Sequence, residues 1–193
     1  MSLFSFSRRL SAEVIAGERV YLRPPRTSDF AEWASLRQAS RAFLEPWEPS
    51  WTADEFSRSS YRLRLSIYEQ RAAQDQAFTY YVFDSATEQL VGGLSLSHVR
   101  RGVSQAATLG YWMGEAFAGR GLMKDALQAV AGCAASRFHL HRLEAACLPH
   151  NERSRRLLLG CGFEEEGQAR SYVKIAGRWE DHLLYGRVID ESW

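Results

Sequence analysis

The hydropathy pattern predicts a mixed α/β domain, and three observations carry that expectation. Three strand-like runs follow one another with only short polar turns between them, as in an antiparallel meander. A strand, an amphipathic helix and a second strand come next, the order of a parallel crossover. The chain then closes on two strand-like runs around Ala176-Gly177-Arg178. The expected architecture is a mostly antiparallel sheet with one parallel pair, flanked by helices, in a single domain over residues 1–193.

Each element has a local reason. Glu18-Arg19-Val20-Tyr21-Leu22-Arg23 alternates polar and apolar residues until Pro24-Pro25 stops it, which predicts a first strand. Thr27 or Ser28 is placed to cap a helix carrying Phe30, Trp33 and Ala34 on one side. The run from Phe43 to Pro49 holds two prolines, and each disfavours helix at itself and just before itself. Thr52 followed by Glu55 fits a capping box, which predicts a long helix reaching about Ala73 with Phe56, Leu63 and Ile67 facing the core. Phe78–Phe83, Leu90–Leu96 and Ala106–Met113 are the meander strands. A helix from Gly121 to Phe138 follows, with Leu127, Val130, Ala131, Ala134 and Phe138 on one face. Arg142–Cys147 is the strand after it. Asn151 then caps a short helix, with Leu157 and Leu158 turned inwards and Gly160 and Gly162 ending it. Arg170–Ile175 and Trp179–Ile189 form the final hairpin.

Composition excludes several classes. The chain is 46% hydrophobic and 24% charged, ordinary for a soluble domain. A net charge of +1 gives no general attraction to nucleic acid or to acidic membranes. No apolar run approaches the length of a membrane span. Met1 to Ala16 carries Arg8 and Arg9 but no apolar run long enough for a signal peptide. Cys133, Cys147 and Cys161 are odd in number and form no Cys-x-x-Cys pair, which points to reduced thiols and a cytoplasmic protein. His139-x-His141 sets two imidazoles on one strand face but has no third ligand near it, so no metal site is expected.

The chemistry concentrates between Gly110 and Lys124. There a strand enters a glycine-spaced loop and a helix begins at once. The first turn of a helix offers N–H groups with no partner inside the helix, at the positive end of its dipole. Gly119 and Gly121 let a ligand approach that backbone closely. The combination is an anion site, most naturally one for phosphate.

These residues resemble the GNAT superfamily of acyl-CoA N-acyltransferases. That family's pyrophosphate loop is written Gln/Arg-x-x-Gly-x-Gly/Ala, and the register here is Ala118-Gly119-Arg120-Gly121-Leu122-Met123. Gly121 matches, whereas Ala118 and Met123 depart; methionine in the last place is similar to the ribosomal-protein acetyltransferase branch. Asn151-x-x-Ser154 followed by Gly162-Phe163 resembles that branch's asparagine-led helix. Phe43–Pro49, Pro149-His150-Asn151, Gly162–Gly167 and Gly177–His182 resemble RimJ-type enzymes, so the likeness covers nearly the whole chain.

The resemblance implies the GNAT fold, in which the parallel strands splay, and acetyl-CoA as the acetyl donor. Its pantetheine arm would pair with the strand ending at Tyr111-Trp112-Met113, and a backbone N–H near Met113 would serve as oxyanion donor. Gly119, Arg120, Gly121, Leu122, Met123 and Lys124 would take the pyrophosphate through their amides. Many relatives protonate the departing thiolate with a tyrosine near the position of Leu158. Ser154 is the substitute expected here, unless its hydroxyl only satisfies local backbone. Asn151 both caps its helix and orients the cofactor, although capping alone accounts for it. Glu115 is the nearest carboxylate for a general base, or a solvated loop glutamate. Glu45, Trp47 and Glu48 would meet the acceptor, or else Trp47 plugs into the core. Tyr172, Trp179 and His182 are further acceptor candidates. Arg153, Arg155 and Arg156 lie near the cofactor helix.

The implied activity is acetyl transfer by direct attack to an amine, foremost the N-terminal alanine of a ribosomal protein. Nucleic acid and membrane play no direct part, and the chain acts as a monomer or homodimer. A small amine or antibiotic as acceptor is one alternative. A non-catalytic acyl-CoA-binding sensor or assembly factor is another.

Overall fold

The structure is a computed structural model and describes residues 13–189. The expectation that the first residues hold no signal segment lies mostly outside them. Eight strands form one sheet in the order β1-β2-β3-β4-β5-β6-β8-β7. They are β1 (Ile15–Ala16), β2 (Val20–Arg23), β3 (Phe78–Asp84), β4 (Leu90–Arg100), β5 (Ala106–Met113), β6 (Arg142–Cys147), β7 (Glu164–Ile175) and β8 (Arg178–Val188). Every neighbouring pair is antiparallel except β5 and β6, which run parallel as the crossover predicts.

Six helices accompany the sheet among the described residues: α1 (Phe30–Ala39), α2 (Arg41–Leu44), α3 (Arg58–Ala73), α4 (Leu122–Gly132), α5 (Ala134–Phe138) and α6 (Glu152–Leu159). The larger core joins one sheet face, through Leu94, Leu96, Leu109 and Leu143, to Leu122, Leu127, Val130 and Phe138 of α4 and α5. The smaller core joins Tyr81, Phe83 and Leu90 to Trp33 of α1 and to Tyr61 and Leu65 of α3.

Four local expectations need correcting. Helix α3 starts at Arg58, where the Ser57 hydroxyl accepts the Ser60 N–H, and not from a Thr52/Glu55 box. Its buried residues are Tyr61, Leu65 and Ala72, while Leu63 is 64% exposed and Ile67 38%. The helix starts later than expected, and its buried face lies on the side opposite the predicted one. At α1 neither Thr27 nor Ser28 caps; both lie in a 3-10 turn, and Asp29 accepts the Arg26 N–H at 2.7 Å and pairs with Arg23. The stretch around Pro46 is helical, as α2 and a 3-10 turn over Glu45–Trp47, because the ring sits within the first residues of that turn, where no helical donor is lost. The helix expected over Gly121–Phe138 breaks at Cys133 into α4 and α5.

The pairing of β5 with β6 decides where a site can form. It covers only Ala106–Thr108 against Arg142–Glu144. Beyond that, β5 stays bonded to β4 as far as Met113, and β6 to β8 as far as Cys147. The two strands therefore diverge with unpaired backbone on their facing edges. Among the described residues no helix is long and apolar enough to cross a membrane, no group of three His, Cys, Asp or Glu is placed to hold a metal, and all three cysteines are free.

Candidate active site

A cleft of about 820 Å³ fills the gap between the diverging strands and continues to the start of α4. Gly119 and Gly121 both have left-handed backbone, with φ of 77° and 81°. Gly121 is the N-cap of α4, and no side chain caps the helix. The first-turn N–H groups from Leu122 onwards thus face the cleft without helical partners. Leu122 and Met123 turn their side chains into the core, and Lys124 and Arg120 are exposed beside the loop. The loop is fastened from behind. Asp125, in the first turn of α4, accepts the N–H groups of Glu18, Arg19 and Val20 at 3.1, 2.7 and 3.0 Å. Arg19 in turn donates to the Arg120 carbonyl at 2.9 Å.

The strand edge supplies directed donors. Gly114 N–H bonds to the Val91 carbonyl on β4 at 2.9 Å. Backbone groups of a strand alternate in direction, so the N–H groups of Met113 and Tyr111 point to the opposite edge, into the gap. The Trp112 side chain leaves for the other face and meets Tyr81 edge-on at 6.5 Å. A side chain at Gly93 would run into that indole, which is why glycine occupies the opposed β4 position.

Across the gap, Asn151 caps α6 by accepting the Ser154 N–H at 3.1 Å. The Ser154 hydroxyl lies 2.6 Å from the Tyr111 hydroxyl. Burial pushes the Tyr111 phenol well above its ordinary value, with the contact to Ser154 opposing it. Tyr111 therefore stays protonated, and the two hydroxyls share one short hydrogen bond at the cleft wall. Cys147 ends β6 in the same cleft, and burial pushes its thiol up too.

The other predicted residues fall around this centre. Glu115 is exposed at the cleft rim, and its N–H donates to Ser40 Oγ at 2.9 Å. Trp47 lines the cleft and packs on His150 at 5.4 Å between ring centres, so it is not a core plug. Glu45 pairs with Arg41 at 2.7 Å. Glu48 accepts from both terminal nitrogens of Arg37 and from Trp51 Nε1. Both carboxylates are thus already engaged by cations. Arg153 and Arg156 line the cleft, whereas Arg155 pairs with Glu152 within α6 and reaches Glu165 of β7 at 3.9 Å. Tyr172 and Trp179 are half exposed or more and do not line the cleft.

His182 does line it. It is 5% exposed, and its Nδ1 lies 3.0 Å from the Glu180 carbonyl. A carbonyl only accepts, so Nδ1 carries the proton and Nε2 keeps its lone pair. Strand spacing alone marks His182 as a core residue; only the pairing of β8 with β6 brings it to the gap. A larger recess, about 950 Å³, lies at the far end of β6. Its Arg142 is paired with Glu144 and Glu166, and none of the residues above reaches it.

Residues 19–164 match the profile of the acetyltransferase (GNAT) domain family. The chain belongs to the GNAT acetyltransferase family. It is 34% identical over 182 residues to the uS5-alanine N-acetyltransferase of Escherichia coli, covering 94% of each chain. It is also 34% identical over 171 residues to a probable N-acetyltransferase, YjcK, of Bacillus subtilis, covering 89% of this chain and 94% of the relative. Among solved structures, the ribosomal-protein-S5-alanine acetyltransferase of Vibrio fischeri superposes with a TM-score of 0.84 at 30% identity, over 93% of this chain and 98% of that one. RimJ of Mycobacterium smegmatis in complex with CoA-disulfide gives 0.83 at 32% identity, over 91% and 84%. The GNAT chain described here is thus an acetyl-CoA-dependent N-acyltransferase. Its open helix start and unpaired β5 edge fit a pyrophosphate and an amide-bearing arm.

Proposed function

We propose that this GNAT enzyme acetylates the α-amino group of a protein N-terminus, with alanine on a ribosomal protein as the first acceptor to test. The observation that carries the reading is the likeness to the uS5-alanine enzyme across 94% of both chains. The chemistry of the cleft supports it. An α-amine has a reference pKa of about 7.7–8.0, against about 10.4 for lysine, so it is partly neutral without a strong base. Of the carboxylates lining the cleft, Glu48 is held by Arg37 and Glu115 is solvated.

Acetyl-CoA supplies the activated acyl group as a thioester. The amides of Gly119 to Lys124 hold its pyrophosphate, and Asn151 keeps α6 in register beside it. Met113 N–H donates to the carbonyl oxygen as negative charge develops there. His182 Nε2 accepts the proton that the attacking amine loses, in place of Glu115. Ser154 gives its hydroxyl proton to the departing sulfur and takes one back from solvent in the open cleft, while Tyr111 holds the serine in place.

The deciding assay is thiol release with a peptide beginning in a free alanine, against the same peptide with a blocked terminus and an internal lysine. Turnover with the free terminus alone is expected. Equal turnover of both, or turnover only of small amines, overturns the reading. His182→Gln is expected to lower kcat/KM at neutral pH and to recover towards wild type as pH rises, because the acceptor then arrives deprotonated.

A further inference from the structure

We propose that a second recess, on the side of β5 remote from α4, is a subsite for a carboxylate side chain of the acceptor near its third to fifth residue. The inference rests on the N-terminal reading above and extends it to the acceptor's sequence. The recess measures about 340 Å³ and shares Glu48, Gly110, Tyr111 and Trp112 with the cofactor cleft. It therefore adjoins the acetyl-transfer point across a single strand. Its floor is small and polar, because Thr79, Ser95 and Gly110 stand opposite one another on β3, β4 and β5. Gly110 is three residues from Met113, roughly 10 Å of strand, which is about the reach of three extended acceptor residues.

The charge of the recess selects the ligand. Arg37, Arg64 and Arg71 line it, against the single carboxylate of Glu48. Arg37 is neutralised by Glu48 at 2.5 Å, and Arg64 pairs with Glu55 at 2.6 Å. Among the described residues, Arg71 makes no ion pair. Arg64, Tyr68 and Arg71 stand at helical spacing on one side of α3, so the helix turns a cationic stripe to the recess. A second observation points the same way. The Tyr81 hydroxyl is buried on the recess wall, with the Tyr61 hydroxyl as its neighbour but, among the described residues, no partner at full bonding geometry. Burial holds that phenol far above its ordinary value, so it remains a donor. A phenol O–H and a guanidinium outside any ion pair, lining one recess, suit a carboxylate and repel the acceptor's own ammonium.

The test uses the full chain and alanine-first peptides of neutral background. Each carries one glutamate at position two, three, four or five, with the glutamine peptide as its control. A glutamate at one of positions three to five is expected to raise kcat/KM about three- to tenfold over its glutamine control, less so as salt rises. Arg71→Ala is expected to bring that ratio to about one, and Arg71→Lys to restore part of it, with coenzyme A affinity as the folding control. Acetylation of all peptides with no glutamate preference overturns the subsite and leaves the N-terminal reading standing. A preference that survives Arg71→Ala and Arg64→Ala together also overturns it. No acetylation of any peptide removes the N-terminal reading, and the subsite with it.

Discussion

The two sides of β5 are built from different materials. On the α4 side the groups that would hold the cofactor are backbone: helix-start amides, the N–H groups of Tyr111 and Met113, and two glycines with positive φ. On the other side they are side chains from separate segments. Arg37 comes from α1, Glu48 and Trp51 from the loop after Pro46, and Trp112 from β5. The Arg37 guanidinium lies 4.6 Å from the Trp51 ring and 5.0 Å from that of Trp112. A backbone site depends on a few dihedral angles and tolerates change in its side chains. A side-chain site depends on every partner at once.

The largest expected effect tests that dependence. Arg37→Ala leaves the half-buried Glu48 carboxylate with Trp51 alone, and we expect a loss of about 3 kcal/mol in urea unfolding. A loss under about 1 kcal/mol would break the comparison. Next, Ser154→Ala is expected to lower kcat roughly a hundredfold with little change in KM for acetyl-CoA, because the serine gives a proton and not binding. Tyr111→Phe follows in the same direction with a smaller effect.

The backbone side has a sharper signature at lower amplitude. Gly121→Val forces a branched residue into left-handed backbone, at a cost of about 1–2 kcal/mol, and we expect coenzyme A to bind about tenfold more weakly by calorimetry. Arg120→Ala should shift that affinity less than the glycine change does, and the reverse ranking would show that side chains hold the phosphate after all. Smallest is Asn151→Ala, expected to cost about 1 kcal/mol of stability through its lost helix cap, with Asn151→Ser recovering most of it.

The same division governs what could be read from the sequence. The meander, the crossover and the Gly119–Lys124 loop were legible because each rests on local periodicity or on glycine spacing. The Asn151 cap was legible because its hydrogen bond spans three residues. Helix α3 was misplaced because Ser57 and Thr52 offer equivalent caps, and only packing of Tyr61 and Leu65 on Tyr81 chooses between them. The pairing of Glu48 with Arg37, of Ser154 with Tyr111, and the arrival of His182 at the cleft depend on contacts across the sheet. No local pattern encodes those partners, so Glu48 reads as free and His182 as only one of three acceptor candidates on the last hairpin.

Asp125 ties the cofactor loop to residues distant in sequence. Its carboxylate holds three consecutive amides of Glu18, Arg19 and Val20 while its own helix presents its N-terminus to the ligand. An anion bound at the helix start would therefore steady the segment that leads into β2. The amides of residues 18–20 are thereby a built-in gauge of loading: coenzyme A is expected to slow their hydrogen exchange, and Asp125→Ala to disconnect the gauge.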